Sequence, residues 1–353
     1  MLSTINNFLQ QFGGKVTKEL ATQYAQSPNW RDGSFQNLEP TSLAGNLLDL
    51  PRIIYKQLSY RNGREPQQPL PVAPFDATAF LADTEKSKFI WYGHSALLLR
   101  MQGKTLLVDP MLGPDTTPIA PIPTKRFSEN VLSVINDFPE IDVLLLTHDH
   151  YDHLDYASIQ QLKAKTRHYF VAMGVKRHLV SWGIEAALIT EFDWWQAKSL
   201  ENIHITFTPT RHFSGRGLTD RLKTLWGGWV FETPNEKIWF SGDGGYGQHF
   251  QEIGQRLGPF DFGFMECGQY NDDWHPIHLF PAEAVQAALD AGAKKAMPVH
   301  WAGFALSYQH TWHEPPEVFV QSAQEKQLDY ALPPLGQVFS VEDVLQEQWW
   351  RGD

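Results

Sequence analysis

The feature that most restricts this chain is the run His148-Asp149-His150-Tyr151-Asp152-His153, in which three imidazoles and two carboxylates fall within six residues. It follows Ile141 to Leu146, an apolar run of branched side chains that reads as a buried strand. It precedes Leu154 to Lys165, where apolar positions recur at helical spacing. A strand-to-helix loop at a sheet rim lets His148 and His150 point one way while Asp152 and His153 turn toward a neighbouring position, so one loop can serve two metal ions. Three other strand patterns end in the same manner: Ile203 to Thr208 leads to His212, Lys237 to Phe240 leads to Asp243, and Ala296 to Val299 leads to His300. Any one of these histidines, taken singly, is more readily a surface or core residue. Their order and spacing together predict one metal centre assembled from distant segments. Imidazole and carboxylate donors suit zinc, with manganese and iron(II) as alternatives. Two divalent cations ~3.5–4 Å apart can clamp a scissile phosphate or acyl group with an activated water.

The surrounding grammar is strands first in hairpins, then strands alternating with helices. Phe89 to Arg100 reads as one strand, Gln102-Gly103 as a turn and Lys104 to Val108 as a second strand, closed by Asp109-Pro110. Gly228 to Glu232 and Lys237 to Phe240 flank a turn at Pro234-Asn235-Glu236, and Asp261 to Met265 is a further strand. Pro281 to Ala293 reads as a helix that opens on proline, a favoured first-turn residue. The first 80 residues differ, with short helical patterns such as Asn46 to Leu50 and a proline-rich run from Gln67 to Pro74. The expected organisation is an N-terminal extension and connector over 1–80 wrapping a catalytic domain over 81–353. Gly242 to Gly247 lacks the lysine of a phosphate-binding loop and reads as backbone that must pass close to the metals.

Composition narrows the partners. Against 40 Asp and Glu there are 29 Lys and Arg, a formal net charge of −11, which argues against nucleic acid as the substrate. Cys267 is the single cysteine, which excludes an intramolecular disulfide and a Cys-rich structural zinc site. Met1 to Gln10 lack the basic and apolar regions of a signal peptide, and no stretch reaches the ~20 apolar residues of a transmembrane span. A cytoplasmic protein is expected, with peripheral membrane contact left open and no oligomeric state indicated. The 13 tryptophans include Trp194-Trp195 and Trp349-Trp350, which could anchor at a lipid interface, although core packing is the commoner use.

The H-x-H-x-D-H run followed by separate His, Asp and His residues resembles the metallo-β-lactamase superfamily. Flanking segments are similar to the N-acylphosphatidylethanolamine phospholipase D-like group: Trp91-Tyr92-Gly93-His94-Ser95-Ala96, Pro209-Thr210-Arg211-His212-Phe213-Ser214, Phe240-Ser241-Gly242-Asp243, His278-Leu279-Phe280-Pro281 and Pro298-Val299-His300-Trp301. This resemblance implies an αββα sandwich, two mixed β-sheets flanked by helices. It implies one metal held by His148, His150 and His212, a second held by Asp152, His153 and His300, and Asp243 bridging, with Asp152 and Asp243 orienting the metal-hydroxide unit as catalytic residues. His94 and His278 are implied to stand near the centre without binding metal directly, as supporting or substrate residues. The implied activity is that of a dinuclear metal-dependent hydrolase, a phosphodiesterase acting on a phospholipid-like substrate through a metal-bridging hydroxide. A lactonase or other acyl hydrolase is the enzymatic alternative, and a metal-binding scaffold with an idle site the non-enzymatic one. Among the other histidines, His168, His178, His204 and His249 read as structural, whereas His275, His310 and His313 fall near the rim. Glu266 to Trp274 departs from the group's pattern, and the segment before residue 50 is not clearly shared.

Overall fold

The computed structural model describes residues 10–42, 50–59, 63–82, 85–116, 124–217 and 219–351. Met1 to Leu9, and all of the Asn46 to Leu50 pattern except Leu50, lie outside the described residues. A short ribbon, β1 (Trp30–Arg31) and β2 (Ser34–Phe35), precedes two seven-stranded sheets. In the first sheet β3 (Lys88–Trp91), β4 (Leu97–Met101) and β5 (Lys104–Val108) run antiparallel. They continue in parallel through β6 (Ile141–Leu146), β7 (Thr166–Ala172) and β8 (Ile189–Phe192). The second sheet follows the same plan: β9 (Ala197–Leu200), β10 (Ile203–Thr208), β11 (Gly228–Glu232) and β12 (Lys237–Phe240) are antiparallel. There β13 (Phe262–Glu266), β14 (Lys295–Val299) and β15 (Asp329–Tyr330) are parallel, while β16 (Val338–Ser340) returns to pair with β3.

Local chemistry explains these elements. The β4–β5 turn places Gln102 at φ 47° and Gly103 at φ 72°, the left-handed pair that a two-residue hairpin needs. Parallel neighbours need long crossovers, and helices supply them: Tyr156–Leu162 between β6 and β7, Pro281–Asp290 between β13 and β14, Glu314–Lys326 between β14 and β15. The first of these is capped by Asp155, whose carboxylate accepts from the Ala157 and Ser158 N–H groups. β6 is buried at every position but Asp142, as expected of a parallel strand covered on both faces.

The sheets meet face to face through aromatic rings. Phe89 of β3 packs on Phe264 of β13 at 5.3 Å between centroids, and Phe192 of β8 on Trp229 of β11 at 5.2 Å. This is an αββα sandwich of two mixed sheets. The tryptophan pairs serve it by packing: Trp194 and Trp350 are buried, and Trp349 stacks on Trp301 at 5.5 Å.

One strand expectation is corrected. Phe89 to Arg100 is two antiparallel strands, because Gly93 (φ 83°) and His94 (φ 55°) turn the chain through left-handed conformations between them. The turn reaches the other sheet. His94 N–H donates to the Trp301 carbonyl at 2.7 Å and His300 N–H to the His94 carbonyl at 2.8 Å, joining the two layers at one rim. Among the described residues no helix is long and apolar enough to cross a membrane.

Candidate metal centre

The centre begins with an anchor. Asp109, at the end of β5, accepts the Thr147 N–H (2.8 Å) and hydroxyl (2.6 Å), fixing the start of the loop that leaves β6. Since the Thr147 hydroxyl donates to Asp109, its oxygen accepts from His148 Nδ1–H at 2.9 Å, and His148 Nε2 is left as a lone pair. His212 is fixed likewise: its Nδ1–H donates to the Ile277 carbonyl at 2.8 Å, leaving Nε2 as a lone pair. Both free nitrogens converge on His150 Nδ1, at 2.8 and 3.2 Å. One N–H at His150 could satisfy only one of them, so the three rings present more acceptors than donors to a common point. Burial, first of all, holds all three imidazoles below the usual histidine range, in the neutral form that binds metals.

A second group stands beside the first. His153 Nδ1–H donates to Asp109 at 2.8 Å, while its Nε2 faces Asp243 at 3.0 Å and Asp152 at 3.6 Å. His300 Nε2 approaches the same two carboxylates at 3.1 and 3.3 Å. Asp243 also stands 3.9 Å from His212, between the two groups. Burial disfavours ionised Asp152 and Asp243, yet His153 and its neighbouring imidazoles outweigh it and hold both carboxylates well below their usual range. All seven residues expected from the sequence as ligands are therefore together at one rim, and their donor atoms form overlapping sets compatible with a cation.

The two supporting histidines differ from each other. His94 is closer than expected, within ligand reach of Asp152, His153 and His300. Burial and the neighbouring His300 push its ring down to about 3, so it is neutral, and its Nε2–H donates to Asp152 at 2.9 Å. His278 stacks on His300 with centroids 5.5 Å apart, and its Nδ1–H donates to Glu266 Oε1 at 2.6 Å. Glu266 is a residue the sequence reading missed. Buried at the end of β13, it also accepts from Leu279 N–H (3.0 Å) and Gly244 N–H (3.4 Å) and lies 3.5 Å from His300 Nδ1. Its one sequence signal is its place at the carboxyl end of a parallel strand, where α/β sheets carry their sites.

Asp149 faces away from the centre. It accepts from Gly215 N–H at 2.8 Å and pairs with His178 Nε2 at 3.2 Å, which gives His178 its structural role. His249 is buried, and His168 and His204 are exposed on the sheets. Of the rim histidines, His275 pairs with Glu283, His310 stacks on Tyr270 at 4.4 Å, and His313 lies 3.4 Å from Glu317. Aromatic rings border the centre: Phe213 packs on His150 at 4.4 Å, and Trp274 stands 6.5 Å from His278.

Residues 104–301 match the family described as a beta-lactamase superfamily domain. An uncharacterized protein of Mycobacterium tuberculosis is 36% identical over 332 residues, covering 92% of this chain and 88% of its own length. The N-acyl-phosphatidylethanolamine-hydrolyzing phospholipase D 1 of Caenorhabditis elegans is 28% identical, over 72% of this chain and 75% of that protein. In fold, a metallo hydrolase from the archaeon Ignicoccus hospitalis superimposes with a TM-score of 0.55 at 18% identity, over 73% of this chain and 100% of its own. With the family match spanning the β5-to-His300 segment that carries every one of the seven converging side chains, the chain belongs to the metallo-β-lactamase superfamily of metal-dependent hydrolases, near the N-acylphosphatidylethanolamine phospholipase D-like group.

Proposed function

We propose that this protein hydrolyses a phosphodiester bond in a phospholipid-like substrate, using two divalent cations, with zinc the preferred metal. His148, His150 and His212 would hold one ion and Asp152, His153 and His300 the other, with Asp243 shared. The observation that carries this reading is the fixed tautomers of His148 and His212, whose lone pairs meet at His150 with too few protons between them. When bound, such cations bring the pKa of coordinated water to ~7 and neutralise charge on a scissile phosphate.

The chain's own residues supply the rest. Asp109 orients His153, and His94 holds Asp152 in place through its Nε2–H. Glu266 fixes the His278 ring by taking its Nδ1–H, so Nε2 is the nitrogen free to carry a proton toward a leaving alkoxide, and the buried carboxylate offsets the charge the ring bears meanwhile. Phe213 and Trp274 give apolar walls suited to a lipid portion attached to the phosphate. The net charge of −11 weighs against a polynucleotide in that place. The activity for which the C. elegans relative is named supports the same substrate class.

The test is a panel of N-acyl phosphatidylethanolamine, bis(p-nitrophenyl) phosphate and a lactone, assayed with metal analysis of the same sample. Release of phosphatidic acid from the lipid, with about two metal ions per chain, is the expected result. Turnover of the lactone without any phosphodiester would replace this reading with acyl hydrolysis. Bound metal with no turnover of any substrate would replace it with a scaffold.

A further inference from the structure

The segment ahead of residue 42 has no role in the chemistry above, yet it touches the candidate centre at a ligand. Asn37 grips the peptide of His212 from both sides: His212 N–H donates to Asn37 Oδ1 at 3.0 Å, and Asn37 Nδ2 donates to the His212 carbonyl at 2.8 Å. The Trp226 indole N–H donates to the same Oδ1 at 3.0 Å and sets the orientation of the amide. His212 needs such a hold, because it lies in the loop beyond β10, where the sheet ladder that ends at Thr208 no longer supports its backbone. A paired amide replaces that ladder.

The neighbouring residues act on the same loops. The Thr41 hydroxyl and the Pro40 carbonyl accept from the Arg211 guanidinium, and Glu39 accepts from Gln248 N–H at 2.8 Å. Farther back, the Gln11 carbonyl accepts from Arg216 Nε and Nη2 at 3.1 and 2.9 Å. The Nη1 of that buried guanidinium donates to the carbonyls of Asp149 (2.8 Å) and Leu154 (2.7 Å), which bracket the loop carrying His150, Asp152 and His153. The N-terminal segment thus holds both loops that bring His150 and His212 to one point.

Resting on the ligand assignment proposed above, we propose that Asn37 is a positioning residue of the metal centre: by pairing with the His212 peptide it aims the His212 imidazole at the cation shared with His148 and His150. The N-terminal segment is then part of the centre, and a divalent cation is the ligand it helps to hold.

The experiment uses the full chain as wild type, Asn37→Ala, His212→Ala and the double variant, stripped of metal and titrated with zinc against a chromophoric chelator. Asn37→Ala is expected to weaken one of two zinc ions by about 10–100-fold, as loss of a group supporting a ligand does. In the His212→Ala background it should change nothing further. Hydrogen exchange at the His212 amide of the metal-free protein should quicken in Asn37→Ala while β13 keeps its protection. Asn37→Asp keeps the acceptor for His212 N–H and for Trp226 and serves as the second variant, with a smaller loss in the same direction. Wild-type zinc affinity in whichever variant folds, even with a lowered melting point, overturns the proposal by leaving Asn37 a purely structural role. An equal loss in the His212→Ala background overturns the route through His212. A wild-type protein that binds no zinc overturns the ligand assignment itself, which is a separate and recognisable failure.

Discussion

Asp109 illustrates how a single buried carboxylate governs residues it does not resemble. Its oxygens take the Thr147 N–H, the Thr147 hydroxyl and the His153 Nδ1–H, so it sets the loop and a ring on it. Burial opposes a proton on His153, yet Asp243, Asp152 and Asp109 together outweigh it and push the ring up to about 10. His300 is raised against burial in the same way, by Asp243 and Asp152. In the metal-free protein at neutral pH, protons therefore supply the positive charge that the carboxylates demand. A cation entering that place must displace them, so zinc affinity rises as pH climbs from 7 toward 10. The sign for folding is opposite: a ring with a raised folded pKa stabilises the metal-free state fully below ~6.5, and that contribution is lost as pH rises through about 10. Zinc added to metal-free protein at pH 7 in weak buffer is expected to acidify the solution, and saturation without proton release would refute the account. At this scale the sequence was legible where imidazoles cluster at strand ends, an arrangement with few other uses. The roles of Asp109, Glu266 and Asn37 were not legible, because each is a lone polar residue whose partner lies 38, 12 or 175 residues away.

The elements matter through how closely their ends approach. Gly268 follows β13, and a methyl group there would collide with the His300 carbonyl oxygen, backbone that has no rotamer by which to escape. Gly268→Ala should therefore displace the loop that carries His300, costing about 1–3 kcal/mol of stability as overpacking does. Bound metal should fall with it. Denaturant unfolding of the metal-free variant, together with its zinc content, checks this, and unchanged values of both would show that the contact relaxes freely. Of the strands that feed the centre, β6, β10 and β12 occupy the residues their apolar patterns indicated, as does β11 between the last two, and β14 starts one residue earlier than expected, at Lys295. β13 is displaced by one residue toward its carboxyl end, which is what brings Glu266 into the strand and onto the site. The turn at Gly93-His94 was hidden because apolar residues continue on both sides of it, and its position depends on a pairing with Trp301 in the other sheet. Local pattern carries no information on that pairing.

For the whole molecule, the candidate centre is where the two sheets are joined. His148, His150, Asp152 and His153 follow β6 of the first sheet, while His212, Asp243 and His300 follow β10, β12 and β14 of the second. A cation held between the groups would be bound by both layers and by neither alone. The unfolded chain has no such arrangement, so binding free energy becomes folding free energy: about 4 kcal/mol when free metal exceeds Kd by ~1,000-fold. The metal-free rim is held by the His94–Trp301 and His300–His94 backbone pairs and by the protonated rings described above, so the sandwich should fold without metal but less stably. Chelation should lower the melting midpoint by several degrees, with zinc restoring it in a concentration-dependent way. His150→Ala and His300→Ala, one from each sheet, should each blunt the zinc response, since either leaves the cation attached mainly to one layer. If instead the midpoint stayed put while the chelator stripped the metal and zinc rebound, the cation would bind folded and unfolded chain alike, and a centre that exists only where the two sheets are joined would be refuted.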